Sequence, residues 1–223
     1  MIESERSGDV TILRMTAGEN RFNPENLDAL DRSFEEVDRG EGGTAVVLTG
    51  EGKFFSNGLD LEWMGAAAEG QPQKVVERVH TLLARTLVSG FPVVAALNGH
   101  AFAAGAMLAL ACDERVMRAD RGYFCLPEVD IDIPFTPGMS ALIRAKLNTG
   151  TAREAMLTGR RYGGEDALEA GIVDAIEGED EVVPLAIERA AALGSKNRNT
   201  VAAIKREMYG PVFDALRLPS PVA

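Results

Sequence analysis

The sequence predicts an α/β protein built on a parallel sheet with crossover helices. Three observations carry that expectation. Two short apolar runs, TAVVLTG at residues 44–50 and PVVAALNG at 92–99, are continuous rather than alternating and end in glycine, as strands buried on both faces do. Each precedes a helical pattern. A third strand-like run, DERVMRAD at 113–120, repeats the order, so strands and helices alternate along the chain.

The elements follow in order. VTILRMT, residues 10–16, reads as a strand. PENLDALDRSFEEVDR, 24–39, puts Leu27, Leu30, Phe34 and Val37 on one helical face. EGKFFSNGLDLEW, 51–63, reads as a loop leading into a helix, with Asp60 suited to its N-cap. QKVVERVHTLLARTLVS, 73–89, is a helix. After the 92–99 strand, NGHAFAAGAMLALACD, 98–113, starts as a turn and becomes an apolar helix from about Ala104–Gly105. Beyond Thr151 the character changes. TAREAMLTG is a helix ended by Gly159, GEDALEAGIVDAI reads as helix, turn and strand, and 182–218 is mostly helical. The expected organisation is an α/β core over 1–181 and a helical region over 182–223 that docks elsewhere and mediates self-association.

A net charge of −11 argues against nucleic acid, because a phosphate-binding surface needs clustered Lys and Arg. Cys112 and Cys125 have no metal-type spacing and sit in apolar surroundings, as buried free thiols do. No metal site is expected. MIESERSGDV has no apolar signal region, the C-terminal PSPVA carries no readable targeting signal, and no apolar run approaches the roughly 18 residues of a membrane span. A cytoplasmic location is the expectation.

Two loops share a design. FFSNGLDL, 54–61, and the 98–113 stretch each run from strand to turn to helix, and the first N–H groups of a helix lack intrahelical partners. Small side chains at Ala103, Ala104, Gly105 and Ala106 leave such donors accessible. Two of them facing one another make an oxyanion hole. Close helix–sheet packing is the other reading of the same small residues. No glycine-rich dinucleotide or P-loop sequence is present, and Ser56 has no evident His partner for a serine hydrolase. His80 reads as a surface or partly buried helix residue, His100 as a backbone hydrogen-bonding residue, and Asp113 as structural.

FFSNGLDLEW followed by PVVAALNGHAFAAGAMLALACDERVMR resembles the enoyl-CoA hydratase/isomerase superfamily, the crotonase fold. RFNPENL, DRGYFCLPEVDI, AKL and EDALEAGIVD extend the similarity over residues 8–216, and the details look most like plant-type Δ3,Δ2-enoyl-CoA isomerases. The resemblance implies a spiral of ββα units with a helical C-terminal extension, and a homotrimer or dimer of trimers. The substrate it implies is an acyl-CoA, with no cofactor beyond the coenzyme A of the substrate. It implies an oxyanion hole from the Leu59 and Ala104 amides. Arg21 and Phe22 would lie beside the nucleotide or pantetheine, Ser56, Asn57 and Gly58 along the pantetheine, Asp60 close by, and Gly105, Met107 and Pro127 in the remaining substrate contacts.

Family hydratases use two glutamates. Glu128 matches one of those positions and Met107 stands at the other. Hydration needs a water oriented and deprotonated, which suits paired carboxylates, whereas shifting a double bond from C3=C4 to C2=C3 needs one base. The expectation is therefore an isomerase with Glu128 as its single proton carrier. The alternatives are a hydratase or another crotonase-type reaction, or an acyl-CoA-binding protein without catalysis. Asp130 reads as structural. Asp132 stands where plant-type relatives commonly have glycine.

Overall fold

The computed structural model describes residues 1–40 and 42–218. The PSPVA stretch, 219–223, lies outside the described residues, as does the end of the expected 182–223 region. Two sheets organise the rest. The larger has the order β1 (Ile2–Ser7), β2 (Val10–Met15), β3 (Ala45–Gly50), β5 (Val93–Leu97), β7 (Glu114–Arg118) and β9 (Ala175–Glu177), parallel except for the β1–β2 hairpin. The smaller is parallel throughout, with the order β4 (Phe54–Ser56), β6 (His100–Phe102) and β8 (Phe124–Cys125).

The central strands alternate between two apolar layers. Val46 and Leu48 of β3, with Val93, Ala95 and Leu97 of β5, join the main core. Ala45, Val47, Val94 and Ala96 face the other way, onto Val182, Ala186 and Ala190 of α8 (Val182–Gly194). Burial on both faces explains why these strands read as continuous apolar runs. The main core is closed by α1 (Pro24–Asp38), α3 (Gln71–Leu87) and α4 (Ala104–Ala111), and α4 is buried on every side. The α1 face is Leu27, Leu30, Phe34 and Val37, as its periodicity predicts, and Asn23 caps it by accepting the Asn26 N–H.

The sequence reading missed several elements. Strands β4, β6 and β8 are two or three residues long, too short to show a period of two. Strand β1 is exposed and charged, as an edge strand is. Helix α5 (Pro137–Lys146) begins at a threonine–proline step that was not read as a start signal, although Thr136 caps it. The missed pieces make the chain a succession of units: a strand in the large sheet, a strand in the small sheet, then helix. Helices α2 (Leu61–Ala66), α6 (Thr149–Thr158) and α7 (Gly164–Glu169) fill the connections.

The last helix, α9 (Arg198–Leu216), docks through a buried cation. Lys205 Nζ donates to Asp113 Oδ2 at 2.6 Å, to the Phe91 carbonyl at 3.1 Å and to Ser89 Oγ at 3.2 Å. Asp113 Oδ2 also accepts the Val93 N–H, so the structural role read for Asp113 is to tie β5 to α9. Both thiols are buried and free, and burial pushes them up to about 12 at Cys112 and about 11 at Cys125. Among the described residues no helix is long and apolar enough to cross a membrane.

Lys205→Met should cost about 2–4 kcal/mol in chemical denaturation. That is somewhat less than a fully buried pair, because Asp113 keeps some solvent contact. A change within about 0.5 kcal/mol would show that α9 docks by apolar packing alone.

Candidate active site

The small sheet sets the site. Its register pairs Ser56 with Ala101 and Ala101 with Phe124, so the three chains leave the sheet side by side. The segment after each strand forms one wall: residues 57–59, residues 103–104, and the 3₁₀ turn Pro127–Asp130. The Ala103 N–H donates to the Cys125 carbonyl at 3.1 Å, tying the second wall to the third.

The first wall turns at Gly58, with φ of +78°. Phe22 bridges it on the outer side, its N–H donating to the Gly58 carbonyl at 2.7 Å and its carbonyl accepting from Asp60 at 3.1 Å. In such a parallel bridge the Leu59 N–H points away from Phe22. The second wall turns at Ala103, a non-glycine residue at φ +50°, ψ −125°, immediately before α4. Among the described residues neither the Leu59 nor the Ala104 N–H has an acceptor. The two loops touch: a Cβ on Gly58 would lie 2.9 Å from Ala103 Cβ and 3.1 Å from Ala104 N. Gly58 must therefore lack a side chain if both amides are to reach one oxygen.

These walls open on a cavity of about 720 Å³, a size that suits a small-molecule ligand. Of the residues singled out in the sequence, Arg21, Asn57, Leu59, Ala104, Met107, Pro127 and Glu128 line it. The remaining lining is largely apolar, including Leu61, Met64, Val76, Phe102, Ile131, Phe135 and Met139. Glu128 is 6% exposed, and its Oε2 has no hydrogen-bond partner. Burial pushes its carboxyl up to about 7, against a smaller lowering by its own backbone N–H. Met107, three residues after Ala104 on α4, presents a thioether to the same cavity. A carboxyl that titrates near neutrality, beside two free amides in an apolar cavity, can move a proton next to a carbonyl whose oxygen takes up negative charge.

Several expected contacts need correction. Phe22 is 1% exposed and belongs to the hydrophobic core, so its part in the site is the backbone bridge. Ser56 is fully buried, donates to the Asn20 carbonyl at 2.7 Å and accepts the Gly58 N–H at 3.2 Å; it shapes the loop and does not line the cavity. Gly105 packs against Ser56, whose backbone a Cβ there would strike, so close packing explains this glycine. Asp60 caps α2 by accepting the Trp63 N–H at 3.1 Å and takes a hydrogen bond from Asn23; it too lies off the cavity. His80 is 2% exposed, more buried than its helix position suggested. The His100 ring stacks among Phe54, Phe102 and Tyr123, and its Nδ1 has no partner.

Arg21 is already neutralised. It pairs with Glu19 at 2.6 Å and lies 3.9 Å from Asp60. The Glu19 carboxyl is held below its ordinary range, first by the Asn57 amide and then by Arg21. Glu19 and Asn20 escaped the sequence reading. Asn20, at φ +53°, accepts the Ala17 N–H and donates to the Phe54 and Phe55 carbonyls, fixing β4. The available signal was an asparagine, a residue tolerant of left-handed backbone, beside the glycine-containing 17–19 turn. Asp132 is itself left-handed, at φ +55°, which accounts for glycine being natural there. Among the described residues no group of three or more His, Cys, Asp or Glu is arranged to hold a metal.

Comparison with known proteins matches residues 5–217 to the family described as enoyl-CoA hydratase/isomerase. The protein is similar to enoyl-CoA delta isomerase 2, peroxisomal, of Arabidopsis thaliana, with 36% identity over 100% of this chain and 98% of the relative. It is likewise similar to enoyl-CoA delta isomerase 3 of the same plant, with 37% identity over 94% of this chain and 92% of the relative. A crystal structure of a probable enoyl-CoA hydratase from Mycobacterium tuberculosis superposes with a TM-score of 0.92 at 27% identity, covering 98% of this chain and 92% of that one. The architecture is that of the crotonase fold.

Gly58→Ala should cost about 1–3 kcal/mol from the left-handed backbone alone. At roughly 2–4 °C per kcal/mol for a chain of this size, a thermal melt reads that directly. An unchanged melting temperature would mean that Gly58 does not hold the left-handed backbone described. Glu128 makes a second, pH-dependent prediction. Its carboxyl titrates near 7 when folded and near 4.5 when unfolded, so the native state holds more protons between those values. Stability therefore falls as pH rises from about 4.5 to about 7, and the full penalty persists above. Glu128→Gln should be more stable than the parent at about pH 8, by on the order of 2 kcal/mol, with the advantage gone at about pH 4. Denaturation at both pH values checks this; a difference independent of pH would mean that burial does not perturb Glu128.

Proposed function

The chain belongs to the enoyl-CoA hydratase/isomerase family, and from that premise we propose that it is an enoyl-CoA isomerase in which Glu128 is the only proton carrier. The substrate is an acyl-CoA thioester with a C3=C4 double bond. The Glu128 carboxylate takes a proton from C2. Electron density moves toward the thioester oxygen, which accepts hydrogen bonds from the Leu59 and Ala104 amides. The protonated Glu128 then returns the proton at C4, leaving the double bond at C2=C3. No atom is gained or lost, and the carboxylate is regenerated.

One observation carries this reading: a buried Glu128, its Oε2 without a partner, facing a cavity in which Met107 occupies the position of a second acid. A thioether neither deprotonates water nor donates a proton, so the surroundings favour proton transfer within the substrate over addition of water. The carboxyl value of about 7 suits the task, because a base poised near neutrality both takes and returns a proton readily. Low polarity around the amides strengthens their hold on the developing oxyanion. With Arg21 committed to Glu19, its part is to order the cavity mouth with Asn57.

Incubation with trans-3-enoyl-CoA should give a product of unchanged mass, and kcat/KM should rise with pH to a plateau, half-maximal near 7. Glu128→Gln should lower the rate by about 10²–10⁴. A product heavier by one water would move the reading to a hydratase. Parental isomerase activity in Glu128→Gln would remove Glu128 from the chemistry.

A further inference from the structure

The isomerase chemistry leaves one polar pair in the cavity wall unused. Thr136 lines the cavity among apolar neighbours that include Val76, Phe135 and Met139. Its Oγ1 lies 2.9 Å from Nε2 of His80, which α3 delivers from behind the wall, and it accepts the Met139 N–H at 3.2 Å. His80 is 2% exposed, and its Nδ1 has no hydrogen-bond partner.

Burial lowers the His80 pKa, so the ring is neutral at pH 7 and carries one N–H. With that proton at Nδ1 the Thr136 hydroxyl donates to Nε2, and with it at Nε2 the ring donates to Oγ1. In both tautomers one Oγ1 lone pair is committed to Met139. The first leaves a second lone pair on Oγ1 and the second leaves the hydroxyl proton, so one hydrogen-bonding capacity remains on an otherwise apolar stretch of wall. A hydrocarbon chain laid over that group strips its water and returns nothing, whereas a hydroxyl on the chain, both donor and acceptor, satisfies it.

We propose that Thr136, oriented by His80, is a hydrogen-bonding subsite of the acyl cavity that gives the protein a preference for acyl thioesters carrying a hydroxyl group on the chain. The proposal rests on the acyl-thioester reading of the cavity, and it deepens that reading by naming the substituent the cavity selects. His80 is a positioning residue: it fixes which way the Thr136 hydroxyl points and touches no substrate. Discrimination of this kind is asymmetric, because a wall built to bond a hydroxyl penalises the chain that lacks it more than an apolar wall penalises the chain that has it.

Saturated esters, which cannot isomerise, separate binding from chemistry. Calorimetric titration would compare octanoyl-CoA with octanoyl-CoA esters bearing one hydroxyl moved carbon by carbon from C5 to the chain end. At one position the hydroxylated ester should bind at least about tenfold more tightly than the plain one. Thr136→Val should bring that ratio to about one, and Thr136→Ser, which keeps the hydroxyl and the helix cap, should retain it. Equal affinities across the series in the parent protein overturn the proposal and leave the acyl-thioester reading standing. Failure of plain octanoyl-CoA to bind overturns both. A ratio that survives Thr136→Val assigns the discrimination elsewhere and also overturns it.

Discussion

The site depends on the parallel pairing of three very short strands. Strand β6 sits between β4 and β8, and through it the chain ends at Ser56, Phe102 and Cys125 are held side by side. The proposed oxyanion-binding amides and proton carrier lie within three residues of those ends: Leu59, Ala104 and Glu128. Strands this short are not stable alone. They persist because the large sheet and α4 supply the buried apolar surface on which Phe55, Ala101 and Phe124 rest. The large sheet is thus the foundation, and the small sheet is the jig that brings two amides and one carboxyl together.

A buried carboxyl without a cationic partner is costly, and its surroundings were free to offer one. Instead the arginine on the cavity wall is closed on a carboxylate of its own. Arg21 is held by Glu19, and no cation reaches Glu128 to lower its pKa. The same economy appears at Met107, where a second acid would raise the cost of ionising Glu128 by like-charge repulsion and would draw water into the cavity. Isolation of Glu128 therefore sets its proton affinity. The stabilising work is done elsewhere, by the double-faced packing of β3 and β5 and by the Lys205–Asp113 contact that seats α9.

The large elements were legible because burial writes a period into the sequence. Helix α1 showed its inner face, and β3 and β5 showed continuous apolar runs because both faces are covered. Glu128 and Met107 were legible only through whole-motif resemblance, since a single glutamate after a proline carries no physical signature; the two strand–turn–helix loops could be read from their small residues, and the resemblance picked out Leu59 and Ala104 within them. Phe22, Ser56 and Gly105 were misread for a common reason. A motif reports which residues a loop needs, and it does not separate those that touch the ligand from those that hold the backbone. The buried side chain of Phe22, the hydrogen bonds of Ser56 and the tight packing of Gly105 fall in the second group. His80 hid for another reason. Its partner Thr136 is 56 residues away, and no local pattern encodes that contact.

Backbone strain marks the same place independently. Among the described residues, the non-glycine positions with positive φ are Asn20, Ala103 and Asp132. None lies in the packed interior of a helix or strand, and each belongs to a different piece of the site. Asn20 pins β4 behind the first wall, Ala103 turns the chain into α4, and Asp132 lies on the cavity wall after Glu128. Asn and Asp tolerate the left-handed region at modest cost, but Ala has no polar group with which to compensate. Holding Ala103 there costs on the order of 1–3 kcal/mol, which persists only where the surroundings over-determine the turn. Here they do: the Ala103 N–H is fixed by Cys125, its carbonyl accepts the Met107 N–H, and its Cβ abuts Gly58. Relaxing that residue would rotate the following peptide, and that peptide contains the Ala104 N–H. The strain is thus the cost of aiming one amide, borne at the residue directly before it.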